Sequence, residues 1–224
     1  MTMTNNRSAP LWLGVLLVAG TLLAAIVATA AKTEPAVSPP PGQLLVAAST
    51  IQDPRFYHSV ILLVHHDKGG AFGLMINRPL GERPLAEVLA DGNGDGDKQP
   101  DKDKDKDSKN AAIEGTIRVF LGGPVEPRYG FVMHSPDYRA AATIVVAPGI
   151  AMTATREVLR DIGRQRGPKQ YRFAIGYSGW GAGQLEGEVA RRDWFVEPAT
   201  PDLVFDTDIG DIWRKALSRR TQEL

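Results

Sequence analysis

The sequence contains no cysteine. That excludes disulfides, thiolate metal sites, a cysteine nucleophile and a lipidated cysteine. It leaves the redox compartment open, because a cysteine-free domain tolerates either. An excess of one charge is also missing: 26 Lys and Arg face 26 Asp and Glu. No global field therefore draws the chain to nucleic acid or acidic lipid. Histidine is scarce, with four in 224 residues, His58, His65, His66 and His134, and none follows Ser178. What remains is 43% hydrophobic, enough for one domain of ordinary size with tails to spare.

The apolar content is unevenly spread. Leu11 to Ala31 carries no charge and as a helix spans roughly 30 Å, one hydrocarbon thickness. It predicts a single hydrophobic helix after a short tail, residues 1–10. Arg7 before it weakly favours a cytoplasmic N-terminus and an exported remainder. Two readings stay open: an uncleaved anchor, favoured because the run exceeds a signal core, and a signal peptide cut near Ala28-Thr29-Ala30. Residues 32–42, "KTEPAVSPPPG", form neither helix nor central strand and predict an extended polyproline spacer.

From residue 43 onward the pattern changes to short apolar runs broken by glycine and proline. "QLLVAAS", "SVILLVHH", "AFGLMIN", "TIRVFLGG", "GFVMHS", "ATIVVAP", "YRFAIGY" and "DWFVEP" read as strands, several buried on both faces. Helical spacing appears in "RPLAEVLAD", "TATREVLRDIGRQRGP", "GQLEGEVARR" and "DIWRKALSRR". Many strands with a few separated helices predict an α+β domain over 43–224, not a βαβ repeat. Asp91 to Asn110 alternates Asp with Lys and has no apolar side chain. It reads as a disordered surface insertion. Asp91, Asn93, Asp95, Gly96 and Asp97 match the opening of a calcium loop, but Lys102 stands where the bidentate Glu belongs.

"GYSGWGAGQLEGEVARRDW", Gly176 to Trp194, raises the question of a serine nucleophile. A nucleophile elbow needs G-x-S-x-G, and Trp180 fills the place of the second glycine. With no later histidine as base, the serine reads as a small residue in a glycine turn at Gly179–Gly183. That turn feeds a helix with Leu185 and Val189 on its buried side. Trp180 and Trp194 are its packing groups, and Gln184 and Glu186 are free to bond loop backbone or a ligand. Arg156, Arg160 and Arg164 recur along one helix with Glu157 and Asp161, the pattern of a solvated face.

Together "GQLLVAA", "DPRFYHSVILLVHHDKGGAFGLMINRPL", "VFLGGPVEPRYGFVMHS" and "IGYSGWGAGQLEGEVARRDWFVEPATPDLVFD" resemble the YqgE/AlgH family of bacterial proteins. The resemblance implies a complex bifurcated mixed sheet including a small barrel, flanked by helices. It brings no established catalytic residues and only a regulatory association. It also implies a soluble cytoplasmic protein, from which the hydrophobic run departs.

The expectation is a non-enzymatic, membrane-tethered binding or regulatory domain on the outer side of a bacterial inner membrane. Its partners would be the membrane, through the hydrophobic helix, and a protein or small molecule. DNA is out of reach if the domain is exported. No cofactor fingerprint, metal set or catalytic set is assigned. The alternatives are weak calcium binding by the Asp91–Asp97 loop, or an enzyme using a cleft where "HHD", "NRP", "GGP" and "MHS" converge. That candidate cleft comprises His66, Asn77, Gly122, Gly123, His134 and Gln184, and it requires the side chains to share one pocket.

Overall fold

The apolar runs form strands that are buried on both faces, as their continuous hydrophobicity requires. In β1 (Gln43–Ala47) and β2 (Val60–Asp67), Leu44, Val46, Val60, Leu62 and Val64 face one core. Leu45, Ala47, Ile61 and Leu63 face another. The period of two is thus kept while both sides stay apolar. This computed structural model describes residues 38–91 and 114–219. The hydrophobic run 11–31, the spacer up to residue 37 and the insertion beyond Asp91 lie outside the described residues. No helix among the described residues is long and apolar enough to cross a membrane.

The remaining strands are β3 (Gly70–Met75), β4 (Pro79–Pro84), β5 (Thr116–Leu121), β6 (Val125–His134), β7 (Thr143–Ala147), β8 (Ile150–Thr153), β9 (Tyr171–Gly181) and β10 (Trp194–Pro198). The main path of the ten-stranded sheet runs β10-β1-β2-β3-β9-β6-β8-β7, and β4 joins through β5 to β9. Pairing is antiparallel except between β5 and β9. The sheet curls until Val146 and Ala147 of β7 pack against Leu44 of β1 in one core. It is a half-barrel: among the described residues no ladder joins β7 to β10.

The sheet divides along β9. Phe173 to Ile175 pair with β5, whereas Ser178 to Gly181 pair with β3. Gly176 stands between the two halves with φ +68°, and the alternation of faces resets there. Ala174 belongs to the core inside the curl, Phe173 and Ile175 to the outer core, and Tyr177 to the inner side again. Only glycine fits, because a Cβ there would lie 2.5 Å from the Gly123 carbonyl oxygen.

Helices cover what the curl leaves open. α1 (Leu85–Asp91) and α2 (Arg156–Gly163) close the outer core with Leu85, Val88, Val158 and Leu159. α3 (Gln184–Ala190) places Leu185 and Val189 on the second core. α4 (Ile212–Arg219) and a π-helical turn, Asp202–Asp206, cap the inner core with Ile212, Ala216, Leu203 and Val204. The α+β expectation holds. The expected turn at Gly179–Gly183 is corrected: the strand runs on to Gly181, because Gly179 and Gly181 pair with Phe72 and Gly70.

Candidate functional site

Ser178 lies within β9, is 1% exposed, and donates its hydroxyl to the Gly122 carbonyl at 3.2 Å. It is a buried structural group. The joint that follows is organised by Glu188. Its Oε2 accepts the indole N–H of Trp180 at 2.7 Å and of Trp194 at 2.8 Å, and its Oε1 accepts Gln184 Nε2 at 2.8 Å. Gln184 Oε1 in turn accepts the Gly181 amide at 3.0 Å, so this side chain serves the turn. Sequence reasoning misses Glu188. The available signal is its i+4 spacing from Gln184 on a helix flanked by two tryptophans.

The same glycine-rich strand shapes a groove of about 540 Å³ at the mouth of the curl. Cross-strand partners share a face, so Phe72 stands opposite Gly179, and Gly70 opposite Gly181. Gly70 and Gly179 line the groove beside Phe72 and Tyr177, whereas Gly181 does not. Phe72 lies 4.9 Å from Tyr177 and 5.3 Å from Phe131, ring centre to ring centre. All three are half-buried. At the rim, His65 Nε2 and Asp67 Oδ2 are 3.1 Å apart. The Gly69 backbone amide, then His65, holds the Asp67 carboxyl below the usual carboxylate range. Among the described residues, no serine or threonine lines the groove beside this pair.

Of the six residues expected to converge, His66, Asn77, His134 and Gln184 bond to different partners, while Gly122 and Gly123 pack on one stretch of β9. His66 points inward with a 3% exposed side chain while His65 points out, as adjacent strand positions must. The His66 Nδ1 lies 2.7 Å from the Pro39 carbonyl and its Nε2 lies 3.0 Å from Glu186 Oε1. Both partners are acceptors, so each ring nitrogen of His66 faces an oxygen. The backbone amide of Glu186, then Ser38 and His66, outweighs burial and holds this carboxyl below its usual range.

Asn77 bridges the two ends of a loop: its Oδ1 accepts the Val60 amide at 2.9 Å and its Nδ2 donates to the His58 carbonyl at 2.8 Å. His134 is fully buried and ends a relay in which Ala140 N–H donates to Thr143 Oγ1, Thr143 to Thr153, and Thr153 to His134 Nε2. Its Nδ1–H donates to the Ser135 carbonyl at 2.8 Å. Burial lowers its pKa, which suits the neutral ring this relay needs. Gly122 and Gly123 press on the β9 backbone, where a Cβ would fall within about 2.2 Å of Gly176 and Tyr177 atoms. His66, Asn77 and His134 share no hydrogen-bond partner among the described residues. His66 and His134 line neither the groove nor a smaller cavity beside α4, whereas Asn77 lines the latter. Asp91, the first residue of the calcium-like stretch, pairs with Arg83 at 2.7 Å. The rest of that stretch lies outside the described residues.

Comparison with known proteins places this arrangement. Residues 44–224 match the family DUF179, described as AlgH-like. The chain belongs to the AlgH-like family. A UPF0301 protein of Jannaschia sp. (strain CCS1) is 42% identical over 178 residues, covering 79% of this chain and 85% of the relative. One from Methylococcus capsulatus is 39% identical over 176 residues, covering 79% and 88%. Among solved structures, the AlgH protein of Pseudomonas aeruginosa is similar with TM-score 0.63 and 34% identity, covering 80% of this chain and 87% of that one. A Corynebacterium diphtheriae protein shares the fold at TM-score 0.59 and 21% identity, covering 82% and 88%. The AlgH-like match thus spans both the Glu188 joint and the groove, while residues 11–31 fall outside it.

Proposed function

We propose that this protein is a non-enzymatic binding domain, tethered to the inner membrane through Leu11–Ala31, with its domain outside the cytoplasm. It takes an exposed aliphatic or aromatic side chain of a partner protein into the groove lined by the packed pair Phe72 and Tyr177. The observation that carries the reading is that Gly69, Gly70 and Gly179 line the groove together with the half-buried rings of Phe72 and Tyr177. Such a volume with apolar walls suits a side chain of that kind. Phe72 is paired on both edges, with His65 of β2 and Gly179 of β9, so at β3 the ligand engages through its side chain and not by adding a strand. At the rim, His65 and Asp67 face each other and already occupy each other's polar atoms.

Amide NMR of the full chain during titration with N-acetylphenylalanine amide tests the groove. Saturable shifts clustered at Phe72, Val125 and Gly179 are expected, and a Tyr177→Lys change should abolish them. Shifts scattered over the surface would overturn the reading. The tether is tested separately, by fusing after Leu224 a reporter active only outside the cytoplasm. Signal is expected, and silence there defeats the exported anchor.

A further inference from the structure

A second cavity, of about 300 Å³, lies between the loop before β2 and the start of α4. His58, Asn77 and Arg78 line one side, and Ile209, Trp213 and Arg214 the other. Its construction is unusual. His58 adopts φ +55°, a left-handed conformation that a residue with a Cβ seldom takes and that tends to occur where function demands it. Two consecutive side chains hold it there: Asn77 donates to the His58 carbonyl and Arg78 Nη2 donates to the Tyr57 carbonyl. The result is a three-ring stack. Tyr57 lies 3.8 Å from His58, and His58 3.7 Å from Trp213, both pairs 21° from parallel. Trp213 is fixed in turn by its indole N–H, which donates to the Ala47 carbonyl at 2.8 Å.

The charged side chains that line this cavity are of one sign. Both charged groups that line it are guanidinium groups. Arg214 pairs with Asp211. Arg78 has no ion-pair partner among the described residues, and its Nε is buried without a hydrogen-bond acceptor. A buried charged donor with no acceptor is costly in any protein, and negative charge close to the guanidinium offsets part of that cost. The N-terminal end of α4 lies against the same cavity through Gly210 and Trp213, and its dipole favours negative charge. Two guanidinium groups select an anion over a metal ion or an amine, while Ile209 and the part of Trp213 that His58 leaves uncovered suit a flat or apolar body.

We propose that this cavity binds a small organic oxyanion, its phosphate or carboxylate head held by Arg78 and Arg214 and its flat body lying along Trp213. Both heads meet a guanidinium in the same way, and the titration separates them. The site is independent of the groove at Phe72 and Tyr177 and shares none of its lining residues.

The test titrates phenyl phosphate, benzoate and inorganic phosphate into the full chain while following the indole N–H resonance of Trp213. Phenyl phosphate or benzoate should saturate below about 1 mM, and whichever binds more tightly identifies the head group. Inorganic phosphate should bind about tenfold more weakly, having no flat body. Arg214→Gln should weaken binding about tenfold, and Arg78→Lys should do the same while circular dichroism stays native. Absence of saturation by about 10 mM for all three probes overturns the proposal. So does saturation that neither arginine change affects. Inorganic phosphate binding as tightly as phenyl phosphate overturns the assignment of Trp213 as a wall.

Discussion

Trp180 and Trp194 meet edge to face, 6.0 Å between ring centres and 82° between planes, because one oxygen of Glu188 accepts both of their indole N–H groups. A helix residue thereby ties the end of β9 to the start of β10. Replacing it with alanine leaves two part-buried donors unsatisfied. Glu188→Ala should therefore cost about 3 kcal/mol, while Glu188→Gln, which retains an acceptor, should cost about 1 kcal/mol. Urea unfolding followed by tryptophan emission measures both. Equal losses in the two variants would mean that packing, not the shared acceptor, holds the joint.

The split of the sheet depends on Gly176. An alanine there meets the Gly123 oxygen at 2.5 Å and must also hold φ +68°. Both effects act together, so Gly176→Ala should destabilise by more than about 3 kcal/mol. At Gly183, φ is +72° but nothing lies within 4 Å of where an alanine methyl would stand, so Gly183→Ala should cost only about 1 kcal/mol. Thermal unfolding of the pair separates steric collision from backbone preference. If both lose the same amount, collision at Gly123 is not what fixes the split.

How far the sequence reveals this molecule differs between elements. The doubly buried strands are legible because Leu44 to Ala47 and Val60 to Val64 are apolar without interruption. β4 is not, since "PLGERP" is largely exposed and carries two prolines, which local propensity reads as loop. β9 reads too short because glycines at 176, 179 and 181 resemble a turn, although Gly176 is required by the Gly123 backbone and Gly179 and Gly181 pair with β3. The site is harder. Gln184 and His66 look like ligand groups in the sequence, yet both are consumed by local partners, Gly181 and Glu188 for one, Pro39 and Glu186 for the other. His58, which ends up between two aromatic rings, carries no signal, because its backbone angle and its distant partner Trp213 are tertiary facts.

His134 predicts a pH dependence with a definite sign. Burial lowers its pKa in the fold from the ordinary 6.5. The unfolded chain therefore takes up a proton near pH 6.5 that the folded chain refuses. Stability from this group is complete above that value and falls as pH drops below it, until the folded ring also titrates. The limiting slope is about 1.4 kcal/mol per pH unit. Because three other histidines titrate as well, the readout is the difference between wild type and His134→Gln in urea at about pH 7.5, 6.5 and 5.5. The gap should narrow on acidification. Parallel curves would show that the Thr153 relay does not keep the ring neutral.

Asn77 and His58 set opposing effects against each other. Asn77→Ala removes the acceptor for the Val60 amide and the donor to the His58 carbonyl, and should cost about 2 kcal/mol. His58→Gly acts in two directions. It relieves a left-handed residue, worth about 1 kcal/mol, and it deletes two ring contacts at 3.7 and 3.8 Å, each worth about 0.5–1.5 kcal/mol. The contacts outweigh the relief, so the glycine variant should be less stable by up to about 2 kcal/mol. Trp213 emission should change in both variants, since its stacking partner moves in one and vanishes in the other. A glycine variant more stable than wild type, with unchanged emission, would mean that the three-ring stack contributes nothing and that His58 is merely strained.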